Sequence, residues 1–260
     1  MTRSRITIQT IRHCRAILIL AVVTGLALAP AGSSRAQNSG LVDVALVLAV
    51  DSSASVDFNE FNLQLQGLAL AFRDPQLAEA ILDGPNASIA VSMIEWSSSD
   101  QQRLSIPWTR IGSEAEAQAF ADRIDAAPRL INTGATSISS AILFGSELLK
   151  AAPYVATRQV IDLSGDGYNN QGPALSVART HVIDQGITIN ALGIENQVLG
   201  LTDYFREALI GGFGAFAIKA LDYQDYTGQI RRKLLRELAP PAVSFLHPIP
   251  MQMQRTAEAF

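Results

Sequence analysis

The stretch Leu41–Asp57, LVDVALVLAVDSSASVD, decides how the rest of the chain is read. Nine of the ten residues from Leu41 to Val50 are apolar. Odd and even positions are equally apolar, so an extended segment here leaves no face for water. That is the pattern of a strand covered on both sides, as in a parallel sheet flanked by helices. The run then stops abruptly at Asp51-Ser52-Ser53-Ala54-Ser55, a carboxylate followed by three hydroxyls.

Outward from this stretch, the pattern alternates. Phe58, Phe61, Leu65, Leu68 and Phe72 are spaced for one face of a helix over Phe58–Phe72. Ala87–Trp96 reads as a second strand, and Gln102–Trp108 as a shorter, more polar third one at an antiparallel edge. Ser113-Glu114-Ala115-Glu116 looks like an N-cap followed by acids in the first turn, and predicts a helix to about Ala126. Ser137–Ala151 is the next helix. Gln159–Leu163, Thr188–Ile194 and Ala215–Ala220 follow as strands, separated by helices near Pro173–Gln185 and Thr202–Leu209. A last amphipathic helix runs from Tyr223 to Leu238. The expected architecture is α/β: a doubly wound, mostly parallel six-stranded sheet with one antiparallel edge strand and helices on both faces.

The ends of the chain read differently. Arg3, Arg5, Arg12 and Arg15 precede the apolar run Ala16–Ala31, and Ser34-Arg35-Ala36 resembles a signal-peptidase site. The run is short for a membrane span and is broken by Gly25 and Pro30. The expected division is a signal peptide at 1–36, a domain at 37–238, and a proline-containing tail at 239–260. Residues 1–36 carry five arginines and no acid, which leaves 15 basic and 24 acidic side chains and a net charge of −9. So acidic a domain repels phosphate backbones, and no nucleic-acid partner is expected. Cys14 leaves with the leader, so the mature chain has neither disulfide nor cysteine-based zinc site. A periplasmic or secreted monomer with no membrane span after cleavage is expected.

Three polar segments fall at or beside the carboxyl ends of strands, where doubly wound sheets bind ligands. They are Asp51–Ser55, Asn132-Thr133-Gly134-Ala135-Thr136-Ser137, and Ser164-Gly165-Asp166-Gly167. Asp51, Ser53 and Ser55 sit at alternating positions, so an extended turn points all three one way. Thr136 adds a hydroxyl and Asp166 a second carboxylate. This is an oxygen set for a hard divalent cation such as Mg²⁺, with Mn²⁺ or Ca²⁺ as alternatives. Two formal charges and several neutral hydroxyls leave the ion electrophilic enough to take a further carboxylate from a partner.

These residues resemble a von Willebrand factor type A (vWA) domain. Asp51-x-Ser53-x-Ser55 matches the first loop of its metal-ion-dependent adhesion site (MIDAS). Gly134-Ala135-Thr136 with Ala141-Ile142 matches the second, and Gly165-Asp166-Gly167 the third. The resemblance implies that Ser53, Ser55 and Thr136 contact the metal directly, and the two aspartates directly or through water. It covers about residues 41–238. A narrower likeness, to an exported bacterial vWA-like family of unassigned function, is carried by several segments. They are Glu95-Trp96-Ser97, Ser164–Gly172, Gly211–Phe216 and Arg232–Glu237. One departure stands out: many type A domains have Thr before the third-loop Asp, and this chain has Gly165.

Each residue also has a plainer reading. Asp51, Ser53 and Ser55 are candidates to cap the helix at Phe58, although a cap needs only one of them. Thr136 is a candidate cap for the helix after it, Thr133 is its rival for the hydroxyl, and Asp166 is a candidate turn residue. Asp162, inside an apolar strand, is either part of the site's surroundings or bonded to a neighbouring loop. Glu95 is expected to be structural, and Asn169 and Asn170 to shape the loop after Asp166. Several motifs fail. Asp162-x-Ser164-x-Asp166-Gly167 starts like an EF-hand loop, but Pro173 stands where a bidentate Glu is needed. Gly211-Gly212-Phe213-Gly214 lacks the Lys-Ser/Thr of a phosphate loop. His181 and His247 are the only histidines after the leader and serve neither a Ser-His-Asp triad nor zinc.

The expected function is therefore metal-dependent capture of an unidentified protein that offers an Asp or Glu, without catalysis. The alternatives are a Mg²⁺-dependent hydrolase with Asp162, Glu95 or Asp166 as base, and a structural module with a vestigial site.

Overall fold

Leu41–Asp51 forms β1, and its alternating side chains feed two separate cores. Val44, Leu46, Leu48 and Val50 join one, while Ala45, Val47 and Ala49 join the other. This is the physical reason the strand is apolar at both parities. The structure, a computed structural model of the chain, describes residues 40–239. The expected leader, and the expected tail beyond Ala239, lie outside the described residues.

Along the chain, α1 (Phe58–Phe72) and α2 (Pro75–Leu82) lead to β2 (Ile89–Trp96) and β3 (Gln102–Ile111). Helices α3 (Glu114–Asp125) and α4 (Ile138–Lys150) precede β4 (Val155–Gly165). Then come α5 (Leu175–Ile183), β5 (Thr188–Ile194), α6 (Leu201–Tyr204) continued by a π turn at Phe205–Leu209, β6 (Ala217–Ala220) and α7 (Tyr223–Leu238). The six strands lie in the order β3-β2-β1-β4-β5-β6. All neighbours are parallel except β2 and β3, which is the expected antiparallel edge. One face packs against α1, α2, α3 and α7, and the other against α4, α5 and α6. None of the described helices is long and apolar enough to cross a membrane.

Several expected boundaries shift. β3 runs on to Ile111 and is longer than β2, not shorter. Its half-exposed edge tolerates Pro107, which cannot donate to a ladder. β4 begins at Val155, four residues before the apolar run, because its outer end pairs with the start of β1. Helix α2 escaped the sequence reading, although Asp74-Pro75 is an N-cap followed by proline at N1. Phe58 is 65% exposed and does not share the buried face of Phe61, Leu65, Leu68 and Phe72. It occupies the first helical position, a turn before the buried residues begin.

Candidate metal centre

β1 and β4 are hydrogen-bonded neighbours, and the chain leaves them for opposite faces of the sheet, β1 for α1 and β4 for α5. The carboxyl ends of these two strands therefore flank the topological switch point, where an open α/β sheet leaves a crevice. Asp51 is the last residue of β1, and Asp166 directly follows β4. Both are buried.

Past Asp51 the chain turns tightly. The Ser53 N–H donates to Asp51 Oδ1 at 2.8 Å, and the Val56 N–H donates to the Ser53 carbonyl at 3.1 Å. Ser53 and Ser55 come together, with their hydroxyls 3.1 Å apart. The Ser55 hydroxyl donates to Asp166 Oδ1 at 2.7 Å, which closes the first loop onto the third. Ser52 is used differently. Its hydroxyl donates to the Ile131 carbonyl at 2.6 Å and accepts from Arg129 Nε at 2.9 Å. The three serines thus divide: Ser53 and Ser55 serve the crevice, and Ser52 before them anchors the turn.

The second loop is tied to the first by the Ala54 N–H, which donates to the Gly134 carbonyl at 3.0 Å. Gly134 has φ +145°, and a side chain there would collide with Ser97, Ser98 and Gln101. Those neighbours belong to the loop after β2, which holds Ala135 by both its carbonyl and its N–H. Thr136 is buried, and its hydroxyl faces the third loop: a Cβ on Gly167 would stand 3.6 Å from Thr136 Oγ1. Thr133, its rival, is exposed.

The plainer readings are now decided for several residues. The cap of α1 is Asp57, which forms a full capping box with Glu60, so Asp51, Ser53 and Ser55 are free of that duty. The start of α4 is served from the third loop. Asn169 Oδ1 accepts from the Ser139 N–H and Asn170 Oδ1 from the Thr136 N–H, each at 2.9 Å. Gly165 also finds its reason. A Cβ there would lie 3.2 Å from Asp51 Oδ2 and 3.2 Å from the ring of Trp96, which is fully buried. The large indole takes the room a threonine would need.

The electrostatics of the crevice are unbalanced. Asp51 Oδ2 is buried with no hydrogen-bond partner. Burial pushes the Asp51 carboxyl up to about 7, the nearby charge of Asp166 adds to the push, and hydrogen bonding from Ser53 opposes it. Among the described residues no lysine, arginine or histidine forms an ion pair with Asp51 or Asp166. A divalent cation fits this arrangement: it would neutralise two adjacent carboxylates and take up the orphaned oxygen. The donor chemistry, two carboxylates and three hydroxyls, suits a hard ion. Among the described residues no three His, Cys, Asp or Glu gather as a metal cluster, so hydroxyls must complete any such site.

Sequence reasoning missed three supporting residues, Arg129, Gln64 and Tyr223. Arg129 staples the first loop: besides Ser52 Oγ it donates to the carbonyls of Ile131 (2.7 Å), Ser52 (3.2 Å) and Val56 (2.8 Å). Its guanidinium also lies 5.2 Å from the Phe61 ring centroid. Glu95 fixes the segment that carries Arg129, accepting from the N–H groups of Leu130 (2.9 Å) and Ile131 (3.1 Å) and from Ser105. Glu95 is therefore structural, as expected; burial pushes its carboxyl up. Gln64 on α1 donates to the Asp51 carbonyl at 3.0 Å. Tyr223, the first residue of α7, donates its hydroxyl to Asp166 Oδ2 at 3.0 Å. Burial, and then the charges of Asp166 and Asp51, push the Tyr223 phenol far up, so it stays a donor. No sequence signal marked Arg129 or Tyr223, because both act across the fold.

Asp162 is settled as well. Its partner is the ammonium of Lys233 on α7, which is fully buried and also donates to Glu237 at 2.8 Å. Asp162 thus belongs to a separate ion cluster under α7, not to the crevice.

A six-stranded sheet in this order, with carboxylates and hydroxyls at its switch point, defines a vWA-like α/β fold. Similar solved structures include proximal thread matrix protein 1 from the mussel byssus, in a form with a zinc-occupied MIDAS motif. It is 14% identical with a TM-score of 0.57, over 75% of this chain and 48% of that one. The pilus adhesin SpaC from Lactobacillus rhamnosus GG is 15% identical with a TM-score of 0.52, over 78% and 31% of the two chains. A von Willebrand factor type A protein from Catenulispora acidiphila is 15% identical with a TM-score of 0.51, over 76% and 43%. The match spans less than half the length of each of these proteins. No curated protein matches the sequence. The chain belongs to the family described as "Protein of unknown function (DUF1194)", whose pattern matches residues 41–242.

Proposed function

We propose that this protein is an exported, monomeric adhesion or scaffold module that binds partner proteins through a divalent cation. Asp51, Ser53, Ser55, Thr136 and Asp166 would hold the ion, Mg²⁺ before Mn²⁺ or Ca²⁺. A bound cation would offer an electrophilic position to an Asp or Glu of the partner. One observation carries the reading: Asp51 Oδ2 is buried without a partner beside a second carboxylate, and among the described residues no basic side chain pairs with either. A vestigial site has no reason to retain that cost. The zinc-occupied MIDAS of the mussel protein supports the kind of site, at the level of the shared fold.

The hydrolase reading loses two of its three candidate bases. Glu95 is committed to two backbone N–H groups and Ser105, and Asp162 to Lys233. Calorimetric titration of Mg²⁺ into wild type and Asp51→Ala tests the site. Binding to wild type alone is expected, and equal affinity in the two proteins would sink the reading.

A further inference from the structure

The face of β4 that meets α7 carries Arg158, Val160, Asp162, Ser164 and Asp166, every second residue of the strand and its exit. Four of the five are bonded to α7. Tyr223 Oη donates to Asp166 Oδ2 at 3.0 Å, Tyr226 Oη lies 3.1 Å from Ser164 Oγ, Lys233 pairs with Asp162, and Arg158 donates to the Glu237 carbonyl at 2.7 Å. The partners on α7 recur three, four or seven residues apart, on one helical face. From Asp166 to Arg158 the strand covers roughly 26 Å at about 3.3 Å per residue. From Tyr223 to Glu237 the helix covers roughly 21 Å at about 1.5 Å per residue. The two spans are close enough for one register to satisfy every rung.

The rung at Asp166 differs from the others because its acceptor belongs to the proposed metal centre. Ser55 donates to Oδ1 at 2.7 Å and Tyr223 to Oδ2 at 3.0 Å, so the carboxylate is gripped at both ends. Among the described residues the Ser55 hydroxyl bonds only to this acceptor and the neighbouring Ser53 hydroxyl. A Ser55 hydroxyl that gives its proton to Asp166 keeps its lone pairs turned elsewhere.

We infer that Tyr223 is a positioning residue of the metal centre: its hydroxyl fixes the Asp166 carboxylate, which in turn orients the Ser55 oxygen as a ligand. The inference rests on the metal-binding reading above and goes beyond it by assigning a role to a helix outside the three loops. Removing a hydrogen bond of this kind, one step out from the ligands, weakens metal binding about 10-fold to 100-fold.

Mn²⁺ titrations followed by electron paramagnetic resonance test it in wild type, Tyr223→Phe, Tyr226→Phe and Asp51→Ala. Tyr226→Phe removes a hydroxyl equally buried under the same helix, but one bonded to Ser164 and not to a proposed ligand. The expected result is an Mn²⁺ affinity about 10-fold weaker in Tyr223→Phe, with a changed spectrum of the bound ion. Tyr226→Phe should keep the affinity and spectrum of wild type. The inference is overturned if Tyr223→Phe binds Mn²⁺ as wild type does, or if both phenylalanine variants weaken it equally. Melting curves in EDTA establish that each variant is folded. Should Tyr223→Phe fail to fold, Tyr223→Met, which also has no donor, carries the same comparison, and loss of affinity with an altered spectrum is again required. If wild type and Asp51→Ala bind alike, or neither binds, the metal-centre reading itself fails. That outcome is distinct from one in which only the tyrosine proves irrelevant.

Discussion

Two buried acidic clusters lie along one face of β4, and they are solved in opposite ways. Under α7, Asp162 and Glu237 share the ammonium of Lys233, a fully buried lysine supplied by the chain itself. Asn190 adds a hydrogen bond to Glu237 at 3.0 Å. Burial and the charge of Asp162 push the Glu237 carboxyl up to about 8, so near neutral pH it keeps its proton and the cluster balances. At the crevice, Asp51 and Asp166 have hydroxyls, a phenol and backbone N–H groups for company, but no basic partner among the described residues. The same low-dielectric interior imposes the same cost on both. Where the protein builds a static strut, it includes the cation. Buried carboxylate oxygens without a hydrogen bond occur in both clusters, so it is the lack of a cation at the crevice that marks it as a place for something from outside.

The comparison is broken most forcefully at Lys233. Lys233→Ala leaves Asp162 and Glu237 facing each other without their cation, and removing one partner of a buried pair costs about 3–5 kcal/mol. Urea unfolding should show that loss with or without Mg²⁺, because the cluster is not part of the metal centre. A loss that Mg²⁺ restores would mean that the two clusters are not separate.

The second expected effect is a gain. Asp51→Asn removes the buried charge while keeping the shape, so the metal-free protein should be stabilised at pH 8, by an amount on the order of 2 kcal/mol. The same variant should lose the rise in melting temperature that Mg²⁺ gives wild type. Differential scanning fluorimetry in EDTA and in Mg²⁺ measures both. A variant less stable than wild type in EDTA would contradict the imbalance at Asp51.

The third effect is a pH dependence. Asp51 has a folded-state value of about 7, raised above the ordinary 3.8. A raised carboxyl contributes stability that is fully present below the unfolded value and is lost as pH rises through the folded one. Metal-free stability should therefore fall between about pH 4 and pH 7 from this group. Glu237 should add a similar fall between about pH 4.5 and pH 8. Mg²⁺, which needs Asp51 deprotonated, should remove the first fall and leave the second. Melting curves from pH 4 to pH 9 check this. The idea fails if Mg²⁺ stabilises more at pH 5 than at pH 8.

Much of this was legible in the sequence, for identifiable reasons. β1 was readable because burial on both faces demands an unbroken apolar run, and α7 because its buried face repeats with helical period. That Asp51, Ser53, Ser55, Thr136 and Asp166 gather in one crevice was readable because four of them end or follow strands and the loop that carries Thr136 resembles a vWA second loop. What stayed hidden depends on pairings between distant residues. Lys233 lies 71 positions from Asp162, and Arg129 lies 77 from Ser52. A lysine in an amphipathic helix reads as surface until the strand beneath it is known to carry an acid. Asp162 was recognised as costly, but its partner is a fact of packing. Phe58 misled because period assigns a face without knowing which turns of the helix are covered.

The smallest expected effect is the sharpest check on which carboxylate does what. Asp57 and Asp51 flank the same serine-rich turn, yet one caps α1 and the other ends β1. Asp57 accepts from the Glu60 N–H at 2.8 Å, and Glu60 accepts from the Asp57 N–H at 2.9 Å. Replacing such a cap by alanine costs about 1 kcal/mol. Asp57→Ala should therefore lower stability by about that amount, equally in Mg²⁺ and in EDTA, with Mg²⁺ affinity unchanged. Asp51→Ala should do the reverse, ending the Mg²⁺ response whatever it does to metal-free stability. The two aspartates are six positions apart, so a shared loosening of the loop would make the variants behave alike. If Asp57→Ala also removed Mg²⁺ binding, the cap and the metal centre would be one unit, and the division of labour drawn through Asp51–Asp57 would not hold.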